Sequence, residues 1–127
     1  MRALILPFLL AGCAAAPDDM SGDRELAKIT AGRNAGAPQS CINQSQIQGP
    51  QIVDARTVVY RQTGRRIWVN TLTNECPGLR PDATLVVEPF GSQLCENDRL
   101  RTVYPGQSIP GPYCRFGKFT PYDKPKS

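Results

Sequence analysis

Three carboxylates lie near one another in the chain: Glu96 and Asp98 in Cys95-Glu96-Asn97-Asp98, and Glu88 one predicted strand earlier. Two carboxyl groups roughly 5–9 Å apart on a cleft are the apparatus of glycoside hydrolysis, one acting as acid and the other as base or nucleophile. The same tetrapeptide is also ordinary turn chemistry, because Asn and Asp side chains bond their local backbone; the turn reading is preferred. A second constellation is Trp68 with Arg61 and Arg66, and with Arg65 between them in the chain. An aromatic ring among guanidiniums can hold a sugar face or an anionic group. The plainer and preferred reading is a core Trp beside solvated turn arginines. A third cluster, Arg115, Phe116, Lys118 and Phe119, reads as two core rings and two solvated charges.

Other chemistries lack their residues. The chain has no histidine, so it has no Ser-His or Cys-His nucleophile pair and no imidazole metal ligand. It has no G-x-S-x-G, no P-loop and no G-x-G-x-x-G. No cofactor and no metal is expected. Five cysteines remain to be explained. Setting Cys13 aside leaves Cys41, Cys76, Cys95 and Cys114, an even set that reads as two disulfides in an exported small domain. Their wide gaps do not match the paired spacing of zinc sites. Three pairings are open. Cys76–Cys95 with Cys41–Cys114 is preferred, tying a Pro-Gly turn to the next hairpin and the two ends of the domain together. Cys95–Cys114 with Cys41–Cys76 is nearly as good.

Cys13 has a different context. Arg2 precedes an apolar run from Ala3 to Ala11. That run is far short of the roughly 20 residues a spanning helix needs, so it reads as the core of a signal peptide. It ends in Leu10-Ala11-Gly12-Cys13, an aliphatic-small-small-Cys order that resembles the lipobox of bacterial lipoproteins. The resemblance implies a diacylglyceryl group on the Cys13 thiol, cleavage just before it, and acylation of the new amine. Ordinary cleavage after Ala14-Ala15-Ala16 would put Pro17 first, which signal peptidase tolerates poorly. The residue after Cys13 is Ala14, not the Asp that retains lipoproteins in the inner membrane of enteric bacteria. An outer-membrane anchor with the domain facing the periplasm is therefore expected. Loss of Arg2 leaves 14 basic against 11 acidic side chains, a mild +3. That suits an anionic envelope surface without demanding one, and nucleic acid is not an expected partner.

The elements follow from pattern. Residues 14–22 read as a tether, and "DRELAKITA" (23–31) as one short helix with Asp23 as cap and Leu26, Ile29 and Thr30 on one stripe. Gly32 stops it, and a helix this short must dock or fray. Residues 32–40 read as loop. From Cys41 the pattern turns to strands. "RTVVYRQTGRRIWVN" reads as a hairpin about Thr63-Gly64. A two-residue loop would face Tyr60 to Ile67 and Val58 to Val69 on the core side, with Val59, Trp68, Arg61 and Arg66 opposite. "ATLVVEPF" reads as a strand that Pro89 limits to an edge or a bulge; Gly91-Ser92 turns the chain, and "QLC" begins the return. "RLRTVY" and "YCRFGKF" supply the last strands.

Together these give a mainly β fold: a small barrel or sandwich of short antiparallel strands, stapled by two disulfides and preceded by a short helix and a tether. The expected organisation is a leader over 1–12, a lipidated tether with its helix over 13–40, a β domain over 41–122 and a tail over 123–127. One core of that size is marginal without its disulfides. Several short motifs also fall in a familiar order: Gly32-Arg33, Gly36, Pro38 and Cys41-Ile42; Asp54 with Thr57-Val58-Val59; Cys76-Pro77-Gly78-Leu79; Leu94-Cys95 with Asp98; Cys114, Phe116-Gly117-Lys118-Phe119 and Pro121. Over about residues 31–122 this layout resembles a family of small proteobacterial proteins of unknown function, often lipoproteins. Arg115 stands where such proteins more often have Gly. The resemblance implies no activity and no catalytic residue. The expected function is a lipid-anchored envelope module that binds or supports an envelope polymer or protein, without catalysis; the alternative is an envelope glycan hydrolase using Glu96, Asp98 or Glu88.

Overall fold

The computed structural model describes residues 17–62, 64–107 and 109–125, with side chains from residue 21 onward. Cys13 and the lipobox lie outside the described residues. The fold is mainly β and antiparallel, with one helix near the N-terminus and two disulfides.

Helix α1 spans Pro17–Thr30. It therefore starts six residues before the expected Asp23 cap, within the stretch read as tether. Pro17 is suited to a first helical turn because its missing N–H would have no helical partner there. Gly32, at φ +71°, ends the segment. Leu26 and Ile29 dock on the cluster of Val53, Val59, Ile67 and Val69, and this packing keeps so short a helix from fraying.

The strands are β1 (Asn34–Ala35), β2 (Cys41–Asn43), β3 (Ile47–Ile52), β4 (Thr57–Gln62), β5 (Arg66–Thr71), β6 (Thr84–Glu88), β7 (Gln93–Cys95), β8 (Arg99–Val103), β9 (Cys114–Arg115) and β10 (Phe119–Asp123). The large sheet runs β1-β10-β5-β4-β3; two smaller ones are β2-β7 and β6-β8-β9. Residues 32–40 are thus not simply loop: β1 pairs with β10, and Gln39 and Phe119 exchange both backbone bonds at 2.7 and 2.9 Å. Asp123, expected in the tail, ends β10. "QLC" does not return along β6; β7 pairs with β2 instead. β6 is an edge strand, the first of the two placements Pro89 allows.

The hairpin register differs from the expected one by a residue. Val59 faces Val69, Tyr60 faces Trp68 and Arg61 faces Ile67. Three residues, not two, separate β4 from β5, and a one-residue slip exchanges faces because side chains alternate. Val58, Tyr60 and Trp68 now share the face that meets the smaller sheets, where they pack with Ile42, Leu94, Leu100, Phe116 and Phe119. Tyr60, Phe116 and Phe119 form a ring cluster with centroids 5.4–6.4 Å apart. Burial pushes the Tyr60 phenol well above its ordinary value. Val59, Ile67 and Val69 take the opposite face, under α1. The large sheet is thus covered on one side by a helix and on the other by two small sheets. Among the described residues no helix is long and apolar enough to cross a membrane.

The disulfides are Cys41–Cys95 and Cys76–Cys114. This is neither of the two pairings favoured on the sequence. Cys41 and Cys95 are direct partners in the β2-β7 ladder, with Cα atoms 4.0 Å apart. Cys76 follows β5 and reaches the first residue of β9, with Cα atoms 5.8 Å apart. The two bridges interleave along the chain. The expectation closed one local turn and tied the ends of the domain, whereas the packed sheets decide which thiols meet.

Candidate functional site

The three candidate carboxylates serve the framework. Asp98 is buried and its Oδ2 accepts the Cys95 N–H at 2.7 Å, while the Asp98 N–H returns to the Cys95 carbonyl at 3.1 Å. Asn97 supplies the positive φ, +71°, that closes this turn. Asn97 N–H and the Asn97-Asp98 carbonyls also bond Phe116 and Arg115, so the turn joins β7, β8 and β9. Glu96 donates its backbone N–H to the Ser40 carbonyl. Glu88 lies on β6, where Oε2 takes Arg99 at 2.9 Å and Oε1 takes the Tyr113 hydroxyl at 3.0 Å. None of the three lines either of the two main clefts.

The Trp68, Arg61 and Arg66 patch is not one patch. The observed register puts Arg61 on the α1 side of the sheet, where it donates to Gln51 at 3.0 Å. Trp68 is buried on the other face and its indole N–H donates to Gln62 Oε1 at 2.8 Å. Arg66 lies over the Trp68 ring at 5.2 Å and grips Asp123 through both Nε (2.7 Å) and Nη2 (2.8 Å). That grip holds the Asp123 carboxyl below the usual carboxylate range and raises Arg66. Trp68 is therefore core, as expected, and Arg66 already has its anion. Phe116 and Phe119 are core as well.

A cleft of about 740 Å³ opens between α1 and the loops flanking β4 and β5. Its charged lining is Asp23, Asp54, Arg56, Glu75 and Arg80. Asp54 Oδ1 takes the Arg56 N–H at 2.9 Å, a local Asx turn. Gly22 of α1 sits so close to Asp54 that a side chain there would collide with it. Arg56 donates to the Leu72 and Thr73 carbonyls at 3.2–3.4 Å. Arg80 pairs with Asp82 at 3.4 Å and covers the Tyr104 ring at 4.6 Å. Asp23 and Glu75 line the cleft with no ion pair among the described residues. The cleft is open, its lining is mixed polar and apolar, and Asp54 and Arg56 within it hold loops. Among the described residues no group of three or more Cys, Asp or Glu side chains is placed to hold a metal ion.

Sequence reading missed Asn70, wholly buried on β5. Its amide donates to the Gly117 carbonyl at 2.8 Å and accepts the Gly117 N–H at 2.9 Å. Gly117 also abuts the Thr71 carbonyl, leaving no room for a Cβ. In the register expected for a two-residue loop Asn70 falls opposite the core side, with Trp68, so nothing in the sequence singled it out; the observed register turns it inward. Several motif residues have comparable duties: Asp54 and Asp98 hold turns, Gly117 fills the clamp, and Gly36 donates to the Pro121 carbonyl at 2.8 Å.

Fold and site together define a disulfide-stapled, mainly β protein in which the buried Asn70 and Asp98 brace a strand junction and a turn. The chain belongs to a family of unknown function: the family model described as "Family of unknown function (DUF6491)" matches residues 1–127. No curated protein and no solved structure matches the chain.

Proposed function

We propose that this chain is a lipid-anchored module of a Gram-negative, proteobacterial envelope, acylated at Cys13, that binds or braces another envelope component and does not catalyse a reaction. Cysteine arithmetic carries the reading. Cys41, Cys76, Cys95 and Cys114 pair among themselves, which leaves no cysteine in the chain for Cys13 and a clear use for it in Leu10-Ala11-Gly12-Cys13. Two interleaved disulfides belong to an oxidising compartment. Ala14 after the acylated residue supports the outer membrane, with the domain facing the periplasm. The commitment of Asp98 to a turn and of Glu88 to Arg99 and Tyr113 supports binding over glycan hydrolysis.

Intact mass of the membrane-extracted protein tests the anchor. The expected species begins at Cys13 and carries added acyl chains, and Cys13→Ser lacks them. An unacylated chain with another N-terminus overturns the proposal. Density-gradient separation of the two membranes tests the address; recovery of the acylated protein mainly with the inner membrane refutes that part. Crosslinking in cells followed by mass spectrometry names the partner.

A further inference from the structure

The large apolar side chains exposed among the described residues are Val86, Phe90, Ile109 and Tyr113, at 37%, 87%, 81% and 48%. All four belong to the stretch that builds β6, β8 and β9 and their connections. One exposed apolar residue is ordinary; here Val86 and Tyr113 lie at the small sheet while Phe90 follows Glu88 beyond one end of it and Ile109 follows Val103 beyond the other.

The outward face of that sheet also carries its charge in rows. Glu88, Arg99 and Arg115 stand side by side across the three strands, and Val86 stands beside Arg101 in the next row. The Tyr113 ring lies against β8, with the Arg99 and Arg101 guanidiniums 4.7 and 5.0 Å from its centroid. Glu88 bonds both Arg99 and Tyr113. Like charges placed directly opposite, as Arg99 and Arg115 are, repel, and this single carboxylate offsets only one of them. Arg101 and Arg115 have no carboxylate partner among the described residues. The Arg101 Nε is buried with no acceptor, and Arg115 donates to the Asn97 carbonyl.

Uncompensated guanidiniums call for an anion. Ile109 has neither a polar group nor a ring face to offer a charged polymer, yet it and Phe90 protrude from the flanking connections. Apolar tips beside arginines match a lipid interface, where side chains enter the acyl boundary and guanidiniums stay among headgroup phosphates. We propose that the outer face of the β6-β8-β9 sheet is a docking surface for an anionic phospholipid membrane. Arg101 and Arg115 meet phosphates, and Phe90 and Ile109 enter the bilayer surface. This goes beyond the anchor: it lays the domain down on a membrane and fixes which face remains free.

The test uses a chain beginning at Ala14, which has no acylation site and retains every described residue. It is co-sedimented with vesicles of phosphatidylcholine alone and of phosphatidylcholine mixed with phosphatidylglycerol. Binding is expected to the mixed vesicles and to be weak on neutral ones. A basic residue at an anionic surface contributes about 1 kcal/mol, so Arg101→Gln with Arg115→Gln should lower partitioning roughly 25-fold. Phe90→Ser with Ile109→Ser, at positions that touch little of the core, should also lower it several-fold; near-UV circular dichroism checks that both variants keep the native fold. The proposal is overturned if wild type shows no preference for phosphatidylglycerol, or if binding survives both double variants. It is also overturned if the Phe90/Ile109 variant binds normally while soluble dextran sulfate competes, which would make the face a polyanion site. Because the chain lacks Cys13, failure here leaves the acylation experiment untouched.

Discussion

Replacing Asn70 with alanine opens the junction between β5 and the chain that links β9 to β10. The native amide exchanges two hydrogen bonds with Gly117, at 2.8 and 2.9 Å, in a site from which solvent is excluded. Alanine leaves the Gly117 N–H and carbonyl both unpaired. Each buried orphan costs about 1–3 kcal/mol. A water drawn into the space of the lost amide recovers part of that, so the expected loss is about 2–4 kcal/mol. Against a typical domain stability of about 5–15 kcal/mol this is a large share. The assay is urea unfolding at neutral pH with both disulfides intact, reading the midpoint and slope. Asn70→Asp separates hydrogen bonding from packing. It keeps an acceptor for the Gly117 N–H but sets a buried carboxylate oxygen against the Gly117 carbonyl, so at neutral pH it should be at least as damaging as alanine. Its folded carboxyl would sit above the ordinary value, so stability should recover as falling pH protonates it and restores the donor. An Asn70→Ala protein within about 0.5 kcal/mol of wild type would refute the reasoning, because surface-like tolerance is incompatible with two orphaned buried groups.

Three further outcomes are expected. Trp68→Ala should destabilise by about 3–5 kcal/mol; a Trp68→Ala protein that melts normally but loses an envelope ligand would restore Trp68 as a binding residue. Non-reducing peptide mapping should join Cys41 to Cys95 and Cys76 to Cys114, and opening either loop, of 54 or 38 residues' separation, should cost about 2–4 kcal/mol; free thiols among these four in the native protein would contradict it. Asp123→Asn should cost under about 1 kcal/mol at neutral pH, because Arg66 and Asp123 are 37% and 43% exposed and water screens the pair. Since the folded Asp123 carboxyl lies below its unfolded value, the pair's contribution is present above the usual carboxylate range and fades as pH falls through the depressed value. The gap between wild type and variant in urea titrations should close on acidification, and a gap that widened instead would reverse the assignment.

Sequence alone determined what local chemistry controls. Alternation and β-branched runs determined that residues after Cys41 form strands. Pro89 restricted β6 to an edge or a bulge, and the Leu26–Ile29 stripe supplied the face by which the helix docks. The Asx chemistry of Asn97-Asp98 determined a turn, and the even cysteine set determined two bridges. Apart from the cysteine count, each depends on neighbours a few residues away, so spacing suffices. Tertiary structure decided whatever depends on distant partners. One additional residue between β4 and β5 changed the hairpin register and separated Arg61 from Arg66 and Trp68. The β2-β7 ladder chose Cys41–Cys95, because disulfide formation follows the distance between Cα atoms and is indifferent to distance along the chain. The same holds for Asn70 and Gly117, 47 residues apart. It holds too for the β6-β8-β9 sheet, where Glu88, Arg99 and Arg115 form one row, and Val86 and Arg101 the next, only when three strands lie side by side.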